Sequence, residues 1–141
     1  MAIVELQNVR KTYRMGTTDV HALYNIDMGL EKGELVSITG PSGSGKSTLL
    51  NLIGCLDRPT SGQYVLNGTN VSDLDDAALS EVRSKEIGFI FQSYNLIPQL
   101  NIIENIEVPL FYQGLSEHES YRQAVELAER VGLKDRLQNH P

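Results

Sequence analysis

Leu35-Val36-Ser37-Ile38-Thr39-Gly40-Pro41-Ser42-Gly43-Ser44-Gly45-Lys46-Ser47-Thr48-Leu49-Leu50-Asn51-Leu52-Ile53-Gly54-Cys55-Leu56 is the stretch on which the fold turns. Leu35 to Thr39 is a short apolar and β-branched run, which reads as a buried strand. Gly40 to Lys46 breaks that run with glycines at 40, 43 and 45. From Thr48 onward, apolar residues at 49, 50, 53 and 56 recur at helical spacing and mark one buried face. The order is strand, glycine loop, helix. Gly40, Gly45, Lys46 and Ser47 fit G-x-x-x-x-G-K-[ST] in the context which that motif requires.

The residue types state a chemistry. A polyphosphate needs many donors at close range. Glycines allow a tight turn with no Cβ in the way, so successive N–H groups converge as an anion nest. A helix starting near Lys46 adds its unpaired N–H groups and the positive end of its dipole. Lys46 would reach the β/γ oxygens, the Ser47 hydroxyl would sit on Mg²⁺, and Thr48 would add a donor near the α-phosphate. The plainer alternative is a glycine turn between a strand and a helix.

The composition narrows the class. The chain has 141 residues, 40% apolar and 21% charged, which predicts one globular domain. A net charge of −6 argues against a nucleic-acid-binding face. The one cysteine, Cys55, is placed within the helix after the loop as a small core residue. The N-terminus has no basic region or long apolar stretch, so no signal peptide is expected. No apolar run approaches the ~20 residues of a membrane span.

Outward from the loop, Ile3 to Val9 reads as a strand. The polar Arg10-Lys11-Thr12-Tyr13-Arg14 then leads into a loop, Met15 to Asp19, and Tyr13 is assigned to this loop region. Tyr13 is either a half-buried surface residue or a ring stacked on a nucleotide base. Val20 to Leu23 and Asn25 to Leu30 read as further strands, giving three strands in an antiparallel layer before the glycine loop. Asp57-Arg58-Pro59-Thr60-Ser61-Gly62 is a turn cluster, and Gln63 to Asn67 another strand. Ser72 or Asp73 is the expected N-cap of a helix to about Lys85, with Leu74, Ala78 and Val82 on one face. Ile87 to Phe91 reads as a buried strand that ends at Gln92, at the strand end where α/β proteins bind ligands.

Ser93 to Gly114 is irregular, and its apolar residues either pack as short helices or form a contact surface. Ser116-Glu117-His118-Glu119 fits a capping box, opening a helix to about Val131 with Tyr121, Ala124, Leu127, Ala128 and Val131 inward and Gly132 as its stop. Lys134 to Asn139 is read as one more short helix.

Gly40 to Thr48, Pro59-Thr60-Ser61-Gly62 and Ile87 to Gln92 together resemble the ATP-binding subunits of ABC transporters, from residue 3 over nearly the whole chain. Asn51 to Asp57 and Asn95-Leu96-Ile97-Pro98 resemble most closely the lipoprotein-release and macrolide-export branch, although Asn101 stands where Thr is expected.

The resemblance implies an α/β fold: a P-loop NTPase core with an antiparallel β layer at the N-terminus and the start of the helical subdomain, incomplete at the C-terminus. Residues 1–141 would form a single truncated domain, with 1–92 the nucleotide-binding core and 93–141 the membrane-partner contact segment and the start of the helical subdomain. It implies ATP and Mg²⁺ as ligands, with Tyr13, Val20, Ser42, Gly43, Ser44, Gly45, Lys46, Ser47 and Thr48 on the nucleotide, Ser47 and Gln92 on the metal, and Lys46 and Gln92 as the catalytic pair.

It also implies hydrolysis of ATP coupled to export or lipoprotein release, transmembrane permease subunits as partners, a homodimer of ATP-binding subunits in the full-length form, and a peripheral place on the cytoplasmic face of the inner membrane. The signature loop, the catalytic Glu and the switch His of that family would follow Pro141, so the 141 residues alone are expected to be inactive and poorly soluble. The alternative is a non-hydrolysing nucleotide-binding fragment or decoy that pairs with intact subunits. Soluble P-loop kinases and GTPases are disfavoured, because Tyr13, Pro59 to Gly62 and Gln92 occur together.

Overall fold

A computed structural model describes residues 2–141, and the chain divides after Ile87 into two compact units. The first is built on a long hairpin of β1 (Ala2–Met15) and β2 (Thr18–Glu31). Gly16 and Thr17 make the turn, with Gly16 at φ 63° in the first central position, a geometry that suits the twist of a two-residue hairpin. The three strands expected before the glycine loop are therefore two. Arg10 to Arg14 belongs to β1, and Tyr13 is a strand residue paired with Val20, not a loop residue. A polar run carries no apolar periodicity to mark a strand, and the one residue of it that is buried, Lys11, is charged.

The loop Gly40–Gly45 leads into α1 (Lys46–Ile53). β3 (Ser61–Leu66) pairs antiparallel with β1, and the two-residue β4 (Thr69–Asn70) pairs with β3, giving a sheet of order β2-β1-β3-β4. Val4, Leu6, Val9 and Leu23 from the hairpin meet Leu49 and Leu52 from α1 and Tyr64 and Leu66 from β3 in the core. The buried face of α1 is thus Leu49 and Leu52, whereas Leu50 and Leu56 are exposed. Cys55 is buried, as expected, but sits past the end of α1 in the left-handed region (φ 51°). α2 (Asp76–Glu86) is capped by Asp75, whose carboxylate accepts from the Ala78 N–H, rather than by Ser72 or Asp73.

Neither of the two expected buried strands is part of a sheet. Leu35 to Thr39 has no ladder, with Leu35 99% exposed and only Ile38 packed against the core. Ile87 to Phe91 also lacks a ladder, and Ile90 is 97% exposed. A parallel strand is buried by neighbours on both sides. An apolar run signals the tendency to be covered but does not supply the strands that cover it.

The second unit is a helical pair. α3 (Ile102–Tyr112) is opened by a capping box between Asn101 and Glu104, and α4 (Glu117–Arg130) by the expected one between Ser116 and Glu119. Ile103 and Leu110 pack against Ala124 and Ala128. Tyr121, Leu127 and Val131 were expected to face inward and are exposed; Ser120 takes the buried position instead. Asn105 folds the preceding segment onto α3: its amide accepts from the Ile97 N–H and donates to the carbonyls of Ile97, Leu100 and Asn101. A single 3₁₀ turn, Lys134–Arg136, follows.

Candidate functional site

The glycine loop is held by its own side chains and by β2. Gly45 is the N-cap of α1, in the left-handed region at φ 89°. A Cβ there would lie 2.6 Å from the Ala22 carbonyl oxygen and 2.9 Å from Leu23 Cδ2, so only glycine lets α1 start this close to β2. Lys46 folds back on the loop: Nζ donates to the Pro41 carbonyl at 2.6 Å and to Ser44 Oγ at 3.3 Å. The Ser44 N–H donates to the same Pro41 carbonyl at 3.3 Å, so both ends of the loop are tied.

No side chain caps the N-terminus of α1, and its first turn has no acidic residue. Its first N–H groups and the positive dipole end are therefore met by no anion of the chain itself. Ser42, Gly43, Ser44 and Ser47 are exposed beside them, and Gly43 has open space where a Cβ would be. This donor set suits a polyphosphate: backbone N–H groups, one ammonium and three hydroxyls, with no carboxylate in the first turn to repel it. Ser47 is an oxygen ligand of the kind Mg²⁺ takes together with phosphate oxygens.

Tyr13 and Val20 face each other across the hairpin as cross-strand partners, each partly exposed. The Tyr13 phenol donates to Asp57 Oδ2 at 2.7 Å. The structure thus brings Tyr13, Val20, Ser42, Gly43, Ser44, Gly45, Lys46, Ser47 and Thr48 into one unit. Gln92 lies in the other unit, exposed and outside any helix or strand.

The sequence reading passed over Lys11 and Asp57. Lys11 is buried, and its Nζ reaches Asp57 Oδ1 at 2.5 Å and the Arg58 carbonyl at 2.7 Å. Burial acts to raise the Asp57 carboxyl, but the hydrogen bonds from Lys11, Tyr13 and the Arg58 N–H outweigh it and hold the group below its usual range. Burial, then Asp57, push the Tyr13 phenol up. The available signal was spacing: Lys11 and Tyr13 are two apart on a strand and so share a face.

A family profile described as "ABC transporter" matches residues 23–141. An ABC transporter ATP-binding protein of Bacillus subtilis, YknY, is 48% identical over 99% of this chain, which covers 60% of that protein. Another, MJ0796 of Methanocaldococcus jannaschii, is 45% identical over 98% of this chain and 60% of its own length. The macrolide export ATP-binding/permease protein MacB 1 of Yersinia pestis is 46% identical over 99% of this chain, which covers 22% of it. Thus the chain spans about 60% of the length of the first two curated relatives. A solved structure of the MJ0796 cassette, described as a dimer in a post-hydrolysis state bound to ADP and Pi, superposes with a TM-score of 0.86 at 46% identity, covering 97% of this chain and 60% of that one. Among the described residues, no helix is long and apolar enough to cross a membrane.

Proposed function

This chain belongs to the ABC transporter family, and from that premise we propose that it is the ATP-binding subunit of an exporter or lipoprotein-release system, coupling ATP binding and hydrolysis to transport through membrane partners. The observation that carries the reading is the tied glycine loop at an uncapped helix N-terminus, with Lys46 Nζ held 2.6 Å from the Pro41 carbonyl.

The proposed ligand is ATP with Mg²⁺, which supplies the scissile phosphoanhydride and, through the metal, charge neutralisation. The residues of the chain position and stabilise charge, the main work in phosphoryl transfer. Lys46 exchanges its loop carbonyl for the β/γ oxygens. The N–H groups of Ser42 to Ser47 hold the β-phosphate, the Ser47 hydroxyl holds the metal, and Thr48 donates near the α-phosphate. Tyr13 and Val20 receive the base. Gln92, by the family resemblance, would help hold the metal and the attacking water.

The ADP and Pi named for the MJ0796 cassette support the nucleotide, and its dimeric form supports a homodimer. The joined ATP-binding and permease parts named for the Yersinia relative support transmembrane permease subunits as partners, an export role and a peripheral place at the inner membrane. The division into residues 1–92 as nucleotide core and 93–141 as partner-contact segment belongs to the same proposal.

Titration with Mg-ATP, together with steady-state hydrolysis by the full chain, tests the reading, with Lys46→Ala as the comparison. Binding lost in Lys46→Ala is the expected result. ATP binding of equal strength in the variant would remove the loop from the nucleotide site.

A further inference from the structure

Lys11 is a lysine with 9% of its surface exposed, held in a cluster that reaches the edge of the candidate site. An ammonium taken that far from water stays charged only with close partners. Its Nζ has two hydrogen-bond acceptors, Asp57 Oδ1 at 2.5 Å and the Arg58 carbonyl at 2.7 Å. It also lies 4.8 Å from the centroid of the Tyr13 ring, within cation–π range. The second Asp57 oxygen accepts the Tyr13 phenol at 2.7 Å. Tyr13 is therefore gripped twice: on one ring face by Lys11 and at its hydroxyl by Asp57, the partner of Lys11. Free rotation of the ring would break one grip or the other.

We propose that Lys11 is a positioning residue for the nucleotide base: through Asp57 and through one face of Tyr13 it holds the ring in a single orientation, with the opposite face presented to the base. The proposal rests on the reading of the loop as an ATP site and adds a residue to it that never touches ATP. Stacking gains when the platform is already ordered, because the ligand does not then have to immobilise it. A purely architectural ion pair between β1 and the end of α1 would instead support the phosphate loop and the base platform alike.

Calorimetric titration of the full chain with Mg-ATP and with Mg-tripolyphosphate separates these. Tripolyphosphate offers the anionic chain without a base, so the ratio of its Kd to that of ATP measures the base contribution. In Lys11→Met, ATP should weaken by about five- to twentyfold, with tripolyphosphate changed less than about twofold. Asp57→Asn should shrink the ratio in the same direction, which keeps the test open if Lys11→Met does not fold. Adding Lys11→Met to Tyr13→Ala should then change the ratio no further.

Equal weakening of both ligands, or a further fall of the ratio in the double variant, would overturn the proposal. Lys46→Ala tells its failure from that of the site. If Lys46→Ala abolishes binding of both ligands while Lys11→Met leaves the ratio intact, the role of Lys11 alone is lost. If Lys46→Ala changes neither ligand, the nucleotide site itself is lost.

Discussion

A methyl group on Gly45 would put a carbon 2.6 Å from the carbonyl oxygen of Ala22. The glycine loop and the β1–β2 hairpin are thereby one piece of geometry: the start of α1 is as close to β2 as backbone allows. Gly45→Ala meets two obstacles, this contact and a left-handed φ of 89°. Left-handed backbone at a non-glycine residue costs about 1–2 kcal/mol before any clash is counted. The variant should lose at least that much stability in urea unfolding. It should also bind Mg-ATP at least tenfold more weakly, because α1 must back away from β2 and misalign its first N–H groups. Gly43→Ala is the contrast: φ is 80° but nothing lies within 4 Å, so only the backbone term applies.

The Lys11–Asp57–Tyr13 cluster predicts an acid limb of stability. Asp57 is held below its ordinary 3.8: burial raises it, and the bonds from Lys11, Tyr13 and the Arg58 N–H more than reverse that. A group whose native pKa is depressed contributes stability above its unfolded pKa and loses it as pH falls through the native one. Stability should therefore hold at pH 5 and drop below about pH 4. Glu81 and Glu119 are lowered too, by Lys85 and Ser116, so the wild-type limb is a sum. The Asp57 share is the part missing from Asp57→Asn in urea midpoints measured from pH 5 to pH 2.5. Identical limbs in the two proteins would mean that the carboxylate is not held by the cluster.

Tyr64 anchors the other end of α1. Its phenol is 2% exposed and donates at 2.8 Å to the carbonyl of Ile53, one of the final carbonyls of the helix. Tyr64→Phe keeps the ring and leaves that carbonyl without its donor. The expected loss is about 1–3 kcal/mol, the cost of an unsatisfied buried acceptor. Burial, then Cys55, push the Tyr64 phenol well up, so its contribution is complete below its unfolded value of 10.0 and is lost only at strongly alkaline pH. A variant as stable as the wild type at pH 7 would mean that water replaces the bond.

What could be read from the sequence followed how local each signal is. The glycine loop and the Ser116–Glu119 capping box are set by residues within a few positions of one another, and both formed where expected. Lys11 and Asp57 are 46 positions apart, and nothing in either neighbourhood announces the pair. Tyr13 was assigned to a loop because its neighbours are polar, yet its pairing with Val20 is fixed by the Gly16–Thr17 turn. Leu35 to Thr39 erred in the opposite sense. Its apolar run is real, but a buried strand depends on partners that the run itself does not contain. Leu127 and Ala128 show the limit within a helix: one position, about 100° of rotation, separates an exposed side chain from a fully buried one.

Asn101 stands where the family resemblance led to an expectation of Thr, and the structure gives the position a physical role. Its side chain accepts from the Glu104 N–H at 2.9 Å, while Glu104 accepts from the Asn101 N–H at 2.7 Å. Either residue type can cap, so Asn101→Thr should change stability by no more than a few tenths of a kcal/mol beyond the loss of the bond to Gln138. Asn101→Ala removes the cap and should cost about 1 kcal/mol. Equal stabilities for the Ala and Thr variants would show that the capping box contributes nothing to α3.

Ser120 makes the opposite case, a polar group whose removal should help. It is 4% exposed, and its hydroxyl has no hydrogen-bond partner among the described residues, although α4 packs it on the same face as Ala124 and Ala128. A buried hydroxyl without a partner costs about 1–3 kcal/mol. Alanine at this site removes that penalty and has the higher helix propensity. The cavity it leaves is the size of one oxygen atom, too small to cancel both gains. Ser120→Ala should therefore raise stability by about 0.5–2 kcal/mol in urea unfolding, without altering Mg-ATP affinity, since α4 lies in the unit that does not hold the glycine loop. Destabilisation would instead mean that the hydroxyl is bonded, either to the Ser116 carbonyl one turn back or to a trapped water.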